Sequence, residues 1–257
     1  MSAKFGPAGN SDAFSAVHKS SLAAPQWIAE QGLDCYEYQC GKGVHVGEDT
    51  ARRVGENARK HGISLSLHAP YFINLANPDP DSLQKTIGYI TSACLVASQM
   101  GASRVVIHSG ALMKRTRREA LDTALRSLRE VIRTCDGQGF GHIALCPETM
   151  GKINQLGDLE EVLELCPLDE RLIPCIDFGH LYARSLGADD GAEAFGRMRD
   201  VLAERAATGV EVRILYDDVG SIGFIGLDFI HRMEALGIAC RVFNPVLPVI
   251  KVFMNNR

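Results

Sequence analysis

The chain has 257 residues, of which 46% are hydrophobic and 23% charged, an ordinary globular composition that suits one large domain, two small ones or a single (β/α) barrel. The formal net charge is −4 and the pI lies near 6.1. This excludes a global basic field that would pull the protein onto nucleic acid, so phosphate binding would need a local patch.

In chain order, Lys4–Gly9 reads as a short strand opening into a Gly/Asn/Ser loop. Ser20–Gly32 reads as a helix with Pro25 in an early turn and Gly32 as its stop. Leu33–Gln39 alternates as a strand, Glu48–His61 is an amphipathic helix ended by Gly62, and Ile63–His68 is the next strand. A loop with three prolines leads into a long helix over Asp81–Met100. Arg104–His108 is a strand, Arg115–Cys135 a helix, and His142–Cys146 a strand. Leu159–Cys166 is a short helix with Asp158 as its N-cap, and Ile173–Asp177 is a strand. Then come a helix over Ala192–Ala207, a strand over Val210–Tyr216, a helix over Leu227–Leu236 and a last strand over Ile238–Phe243. Strand and helix alternate throughout, which predicts an α/β fold with parallel strands. Eight strand-like runs suit a (β/α)8 TIM-type barrel, with the eighth helix missing or short.

Eight cysteines, at positions 35, 40, 94, 135, 146, 166, 175 and 240, form no C-x-x-C pair. Several lie in apolar runs, which predicts reduced thiols and a cytoplasmic setting. The segment MSAKFGPAGN has no apolar core of a signal peptide, and no run reaches the length of a membrane span.

The functional signal is a repetition. SLSLHAPY, VVIHSG, ALCPETM and IPCIDFGH are four apolar runs that end in His68, His108, Glu148, and Asp177 with His180. In a barrel these ends share one face. Imidazole and carboxylate donors suit zinc, and also manganese or iron. The alternative is a polar ring at the barrel mouth whose members satisfy one another. Asp177 and His180, three apart, either address neighbouring metals or cap the following helix. Glu37 either faces the mouth or lies on the loop surface.

SLHAPYFINL, VVIHSG, CPETMGK and IDFGHLYAR resemble the successive strand-end motifs of the endonuclease IV family, from about Lys4 to near residue 200. These are zinc-dependent AP endonucleases among the xylose isomerase-like TIM barrels. The resemblance implies one to three zinc ions, with Mn2+ as a substitute, and cleavage of DNA at abasic sites in base excision repair by a monomer. It implies that His68 and His108 ligate a first zinc, that Glu148 bridges two metals as the catalytic carboxylate, and that Asp177 and His180 ligate the second and third. It places Tyr71 at a DNA-contacting aromatic position. Lys114, Arg115, Arg117 and Arg118 follow the fourth strand and either hold the phosphate backbone or form a solvated helix start.

The family pattern should continue with further His, Asp and Glu ligands. After about Val201 the only histidine is His231. Residues 204–257, including ATGVEVRILYDDVGS and GIACRVFNPVLPVIKVFMNNR, instead resemble a truncated bacterial cardiolipin synthase of the phospholipase D superfamily. The H-x-K-x4-D motif of that superfamily is absent. The expected organisation is therefore 1–203 as a partial endonuclease IV-like barrel and 204–257 as a foreign piece packed as its last strands. Asp217, Asp218 and Asn244 would then reach the ligand face, with Asp217 and Asp218 as substitute ligands or as turn residues before Gly220.

The expected function is a zinc-dependent phosphodiester hydrolase, impaired to the extent that lost ligands matter. The alternatives are a sugar isomerase or epimerase of the same superfamily, using Glu148, Asp177 and Glu37, and an inactive chimeric remnant with no cardiolipin synthase activity.

Overall fold

The computed structural model describes residues 4–184, 196, 200, 203–204, 207, 213–217 and 227–243. They belong to two compact units, Gly6–Ala188, and Asp189–Arg257 with Met1–Phe5.

The first unit alternates helix and strand. Short helices α1 (Asp12–Val17) and α2 (Ala24–Glu30) precede strand β1 (Cys35–Gln39). Then come α3 (Glu48–His61), β2 (Ser64–His68), α4 (Pro80–Met100) and β3 (Arg104–His108). The unit continues with α5 (Arg117–Gly137), β4 (Ala144–Glu148), α6 (Leu159–Leu165) and α7 (Phe178–Arg184). The four strands pair in parallel and in sequence order. Gln39 stands opposite His68 and His108 opposite Glu148, so the ends of the strands align.

The same parallel order extends on both sides through single bridges. Ala8 pairs with Glu37, and Leu172 and Cys175 pair with Leu145 and Glu148. The strands expected over Lys4–Gly9 and Ile173–Asp177 are therefore present as bridges rather than as full ladders. Pro7 and Pro174 have no amide proton to give, which limits the ladder that either segment can form.

Burial explains why these runs are strands. In β3 only Arg104 is exposed, and Val105, Val106, Ile107 and His108 are buried, as expected of a parallel strand covered on both faces. Each such aliphatic side chain contributes about 1.5–3 kcal/mol. Helices α3 and α4 stop at Gly62 and Gly101, whose φ values of 71° and 73° suit glycine.

Several helix bounds differ from expectation by a residue or two, and the following are the informative ones. Ser20–Gly32 is a 3-10 turn over Ser21–Ala23 followed by α2, with Pro25 in its first turn. Helix α5 begins at Arg117, not Arg115, because the Thr116 hydroxyl caps it while Glu119 reaches back to the Thr116 amide. Helix α7 starts directly after Asp177. The Asp158 N-cap of α6 is present and forms a capping box with Glu161.

In the second unit, β5 (Arg213–Asp217) and β6 (Ala239–Phe243) pair in parallel on either side of α8 (Leu227–Ala235), with Arg213 opposite Ala239 and Asp217 opposite Phe243. This is a βαβ unit, as the alternation predicts. His231 lies on α8 and is exposed. Asp217 closes β5, whereas Asp218 and Asn244 lie outside the described residues, as does most of the helix expected over Ala192–Ala207. No described helix is long and apolar enough to cross a membrane. Cys35, Cys40, Cys94, Cys135, Cys146, Cys166 and Cys175 are free thiols.

Candidate metal centre

His68, His108 and Glu148 are the last residues of β2, β3 and β4. Parallel register brings them to one place. The Nε2 atoms of both histidines lie 3.2 Å from the same carboxylate oxygen, Glu148 Oε2. The other oxygen, Oε1, lies 3.8 Å from His180 Nδ1, and His180 Nδ1 lies 3.6 Å from Asp177 Oδ2. Two sets of three donors result, His68–His108–Glu148 and Glu148–Asp177–His180, each with its donor atoms within 4.8 Å of one another. Glu148 belongs to both.

The two sets differ in access. The side chains of His68, His108 and Glu148 are 8%, 10% and 9% exposed, whereas those of Asp177 and His180 are both 39% exposed. The first set is closed in and the second is open to solvent.

Backbone carbonyls orient all three imidazoles. His68 Nδ1 lies 2.7 Å from Ala69 O, His108 Nδ1 lies 3.2 Å from Tyr71 O, and His180 Nδ1 lies 2.8 Å from Thr149 O. For His68 and His108, a proton on Nδ1 donated to the carbonyl leaves Nε2, the atom that faces Glu148, as the free lone pair, the arrangement that a metal-binding imidazole needs, whereas His180 faces Glu148 and Asp177 through Nδ1. The motif HAPY thus holds two of the candidate donors, because its turn carries both the Ala69 and the Tyr71 carbonyl. Pro70 ends β2 and lets the chain turn there.

Asp177 has two roles. Its Oδ1 accepts the His180 amide at 2.8 Å, which is the helix-capping alternative, while Oδ2 stays on the metal side. The Thr149 hydroxyl accepts the Asp177 amide at 2.8 Å and donates to the Asp177 carbonyl at 3.2 Å. Thr149 was not among the residues singled out in the sequence. Its position directly after Glu148, in a motif where the next segment must be held in register, is the signal that could have found it.

Charge and burial agree with these contacts. Burial opposes ionisation of Glu148, but hydrogen bonds from His108 and His68 prevail and hold its carboxyl down at about 2. Burial also opposes protonation of His68, yet the Glu148 hydrogen bond, the Ala69 carbonyl and the charges of Glu148 and Glu37 raise it overall. Glu37 faces this cluster from β1. Gln39 Nε2 donates to its Oε1 at 2.9 Å and Ser66 Oγ to its Oε2 at 3.4 Å, and burial raises its carboxyl.

The basic residues after β3 separate. The guanidinium of Arg115 is turned inward onto the Thr123 hydroxyl and the Ala76 carbonyl. Arg117 pairs with Glu161 at 2.5 Å and Asp158 at 3.2 Å, and Arg118 with Glu164 at 2.5 Å and Asp122 at 2.6 Å. Three of the four cations are thus engaged within the fold. Lys114 is exposed. Tyr71 is 55% exposed, and its ring stacks on His108 with centroids 5.8 Å apart and planes 18° apart.

Nitrogen and oxygen donors in threes fit zinc, and manganese to a lesser degree. A His–His–Glu set leaves a fourth tetrahedral position for water or substrate.

Residues 25–240 match the family model described as the xylose isomerase-like TIM barrel. An uncharacterized protein of Methanocaldococcus jannaschii is 28% identical over 200 residues, covering 76% of this chain and 71% of that protein. A probable endonuclease 4 of Mycoplasma genitalium is 31% identical over 131 residues, or 49% of this chain and 43% of that protein. The chain therefore spans less than half the length of that relative. A D-psicose 3-epimerase of Clostridium cellulolyticum H10 shares the fold at a TM-score of 0.58 and 14% identity, over 88% of this chain and 80% of that one.

The family match continues to residue 240, through the crossover expected near residues 200–206, and nothing in the comparisons supports the resemblance of residues 204–257 to cardiolipin synthase. With most of its length matched, and with parallel strands in sequence order that end in ligand-type side chains, the chain belongs to the xylose isomerase-like TIM barrel family.

Proposed function

We propose that the protein is a zinc-dependent phosphodiester hydrolase of AP endonuclease type that acts on abasic sites in DNA. The observation that carries this reading is the sharing of Glu148 between two donor sets. One carboxylate placed between two sites fixes their spacing, which suits phosphodiester cleavage with its attacking and leaving oxygens. Similarity to a protein named probable endonuclease 4 adds support, over less than half of that protein's length.

In this reading His68, His108 and Glu148 hold one ion, and Glu148, Asp177 and His180 hold a second. Bound metal supplies Lewis acidity toward a phosphoryl oxygen and hydroxide near neutral pH. The chain's own residues do the rest. The Ala69 and Tyr71 carbonyls keep the His68 and His108 lone pairs aimed, Thr149 and the α7 N-terminus hold Asp177, and Tyr71 offers an exposed ring to the substrate. Lys114 is the cation available to a phosphate, since Arg115, Arg117 and Arg118 have partners within the fold.

The test is metal analysis of the purified protein with a nicking assay on abasic duplex DNA, repeated with Glu148→Gln. The expected result is two metals per wild-type chain, with nicking that the substitution abolishes. Wild-type protein that folds, takes up fewer than two metals and does not nick would overturn the reading.

Glu37 favours a second reading, a sugar isomerase or epimerase. It adds a half-buried carboxyl that interacts with His68 and Glu148, suited to proton transfer next to a single metal. Turnover of ketoses with Mn2+, together with no action on abasic DNA, would put this reading first. A zinc-treated protein without a cooperative melt would instead indicate an inactive remnant.

A further inference from the structure

We propose that Gly41 and Tyr71 form a positioning device for His108, by which the loop after β1 sets the metal affinity of the closed-in donor set; this rests on the metal reading of that set. Gly41 is buried just beyond β1, and its carbonyl accepts the Tyr71 amide at 3.0 Å. The Tyr71 ring lies over the place where a side chain at Gly41 would be. A Cβ built on Gly41 would stand 2.2 Å from Tyr71 Cζ and 2.3 Å from Cε2. No carbon approaches another that closely without a bond, so alanine at this position must drive the ring away.

The ring does not end at Gly41. Its face stacks on His108, and its edge meets His68 at 5.7 Å between centroids, with planes at 68°. The two histidine rings meet each other at 5.1 Å and 87°. The backbone of the same residue also contacts His108, through the Tyr71 carbonyl at 3.2 Å from Nδ1. Tyr71 therefore restrains His108 twice, by ring and by carbonyl. Its ring can lie there only because residue 41 has no side chain. Gly41 is not among the described residues with positive φ, so its backbone does not itself require glycine. The steric relation to Tyr71 is the reason for glycine here.

Tyr71 acts here through His108, and Gly41 acts through Tyr71. The coupling predicts that Gly41→Ala and Tyr71→Ala harm the same property, and that the first is harmless once the ring is gone. The experiment is a double-mutant cycle on metal affinity, with zinc titrated against a chelator and cobalt(II) as a spectroscopic probe, on full-length protein. Metal-free thermal melts accompany each variant to show that it folds.

Gly41→Ala and Tyr71→Ala should each weaken zinc binding by about tenfold, within the range for groups that orient a metal ligand. The Gly41→Ala/Tyr71→Ala double variant should bind as Tyr71→Ala does. Tyr71→Phe keeps ring and carbonyl and should retain wild-type affinity and the wild-type cobalt spectrum. Wild-type affinity in folded Gly41→Ala would overturn the proposal, as would additive losses in the double variant. Failure of the metal reading is distinct, because wild-type protein would then bind neither zinc nor cobalt.

Discussion

Glu148 Oε2 and His68 Nε2 lie 3.2 Å apart at the ends of β4 and β2, with β3 between the two strands, and both side chains are almost fully buried. Without metal this contact is an ion pair whose strength follows pH. Glu148 is held at about 2 against an ordinary value of 4.5, so its contribution is complete above 4.5 and is lost as pH falls toward about 2. His68 is raised above 6.5, so its contribution is complete below 6.5 and is lost as pH rises through its folded value. Chelated protein should therefore gain most from this cluster between pH 4.5 and 6.5. Zinc needs the imidazoles unprotonated, so the rise in Tm that zinc gives should grow with pH over the same titration. Melts across pH with chelator and with zinc check both slopes. A chelated Glu148→Gln variant with an unchanged pH profile would contradict the first.

Thr149 binds Asp177 by both its amide and its carbonyl. Thr149→Val keeps the shape and removes both hydrogen bonds. The expected effect is about a tenfold weaker affinity at the open Glu148–Asp177–His180 set, with the closed set unchanged. Zinc titration that resolves two binding steps would show this. Equal weakening of both steps would point to a general loss of fold.

Arg117 was read from the sequence either as a phosphate contact or as part of a solvated helix start. In the structure Glu161 is buried and accepts from Arg117, from the Gly157 amide at 2.7 Å and from the Asp158 amide at 3.0 Å. Glu161→Ala strands the Gly157 and Asp158 amides, while Arg117 keeps Asp158 and the Ile153 and Gln155 carbonyls, and should cost about 3 kcal/mol. Arg117→Met leaves the amides to hold Glu161 and should cost about 1 kcal/mol, with no change in DNA affinity. Urea unfolding and a DNA-binding titration separate the roles. A loss of DNA affinity at unchanged stability would return Arg117 to the substrate site.

Met113 and Lys114 sit at φ 53° and 62°, the central residues of a turn closed by the Arg115 amide on the Leu112 carbonyl at 3.1 Å. Two side-chain-bearing residues in the left-handed region are costly, and Asn-Gly is the pair that such a turn favours. Met113→Asn with Lys114→Gly should stabilise the protein by about 1–2 kcal/mol. If Lys114 meets phosphate, the same change should weaken DNA binding and reduce its salt dependence by about one charge. Denaturation and binding at several salt concentrations test the two effects independently.

Much of the fold was legible in the sequence because its signals are local. The caps Gly62, Gly101 and Asp158 and the apolar runs of β2 and β3 each depend on neighbours within a few residues. The bounds of α5 were less legible because Thr116 competes with Arg115 for the first turn, and side-chain capping decides such contests. The weak outer strands were over-read, since an apolar run does not reveal that Pro7 and Pro174 lack donors for a longer ladder.

The site divides along the same line. Sequence by itself determined the ligand types, their place at strand ends and the absence of a global basic field, because alternation and turn residues set where a strand stops. Only the tertiary structure decided that two histidines converge on one oxygen of Glu148, that Asp177 both caps α7 and faces His180, and that three arginines have partners inside the fold. Those facts depend on register between strands and on loops that meet across long sequence separations, such as Tyr71 with Gly41 and His108. Pairing of that kind is fixed by packing and hydrogen-bond geometry, for which a single chain read in order carries no local mark.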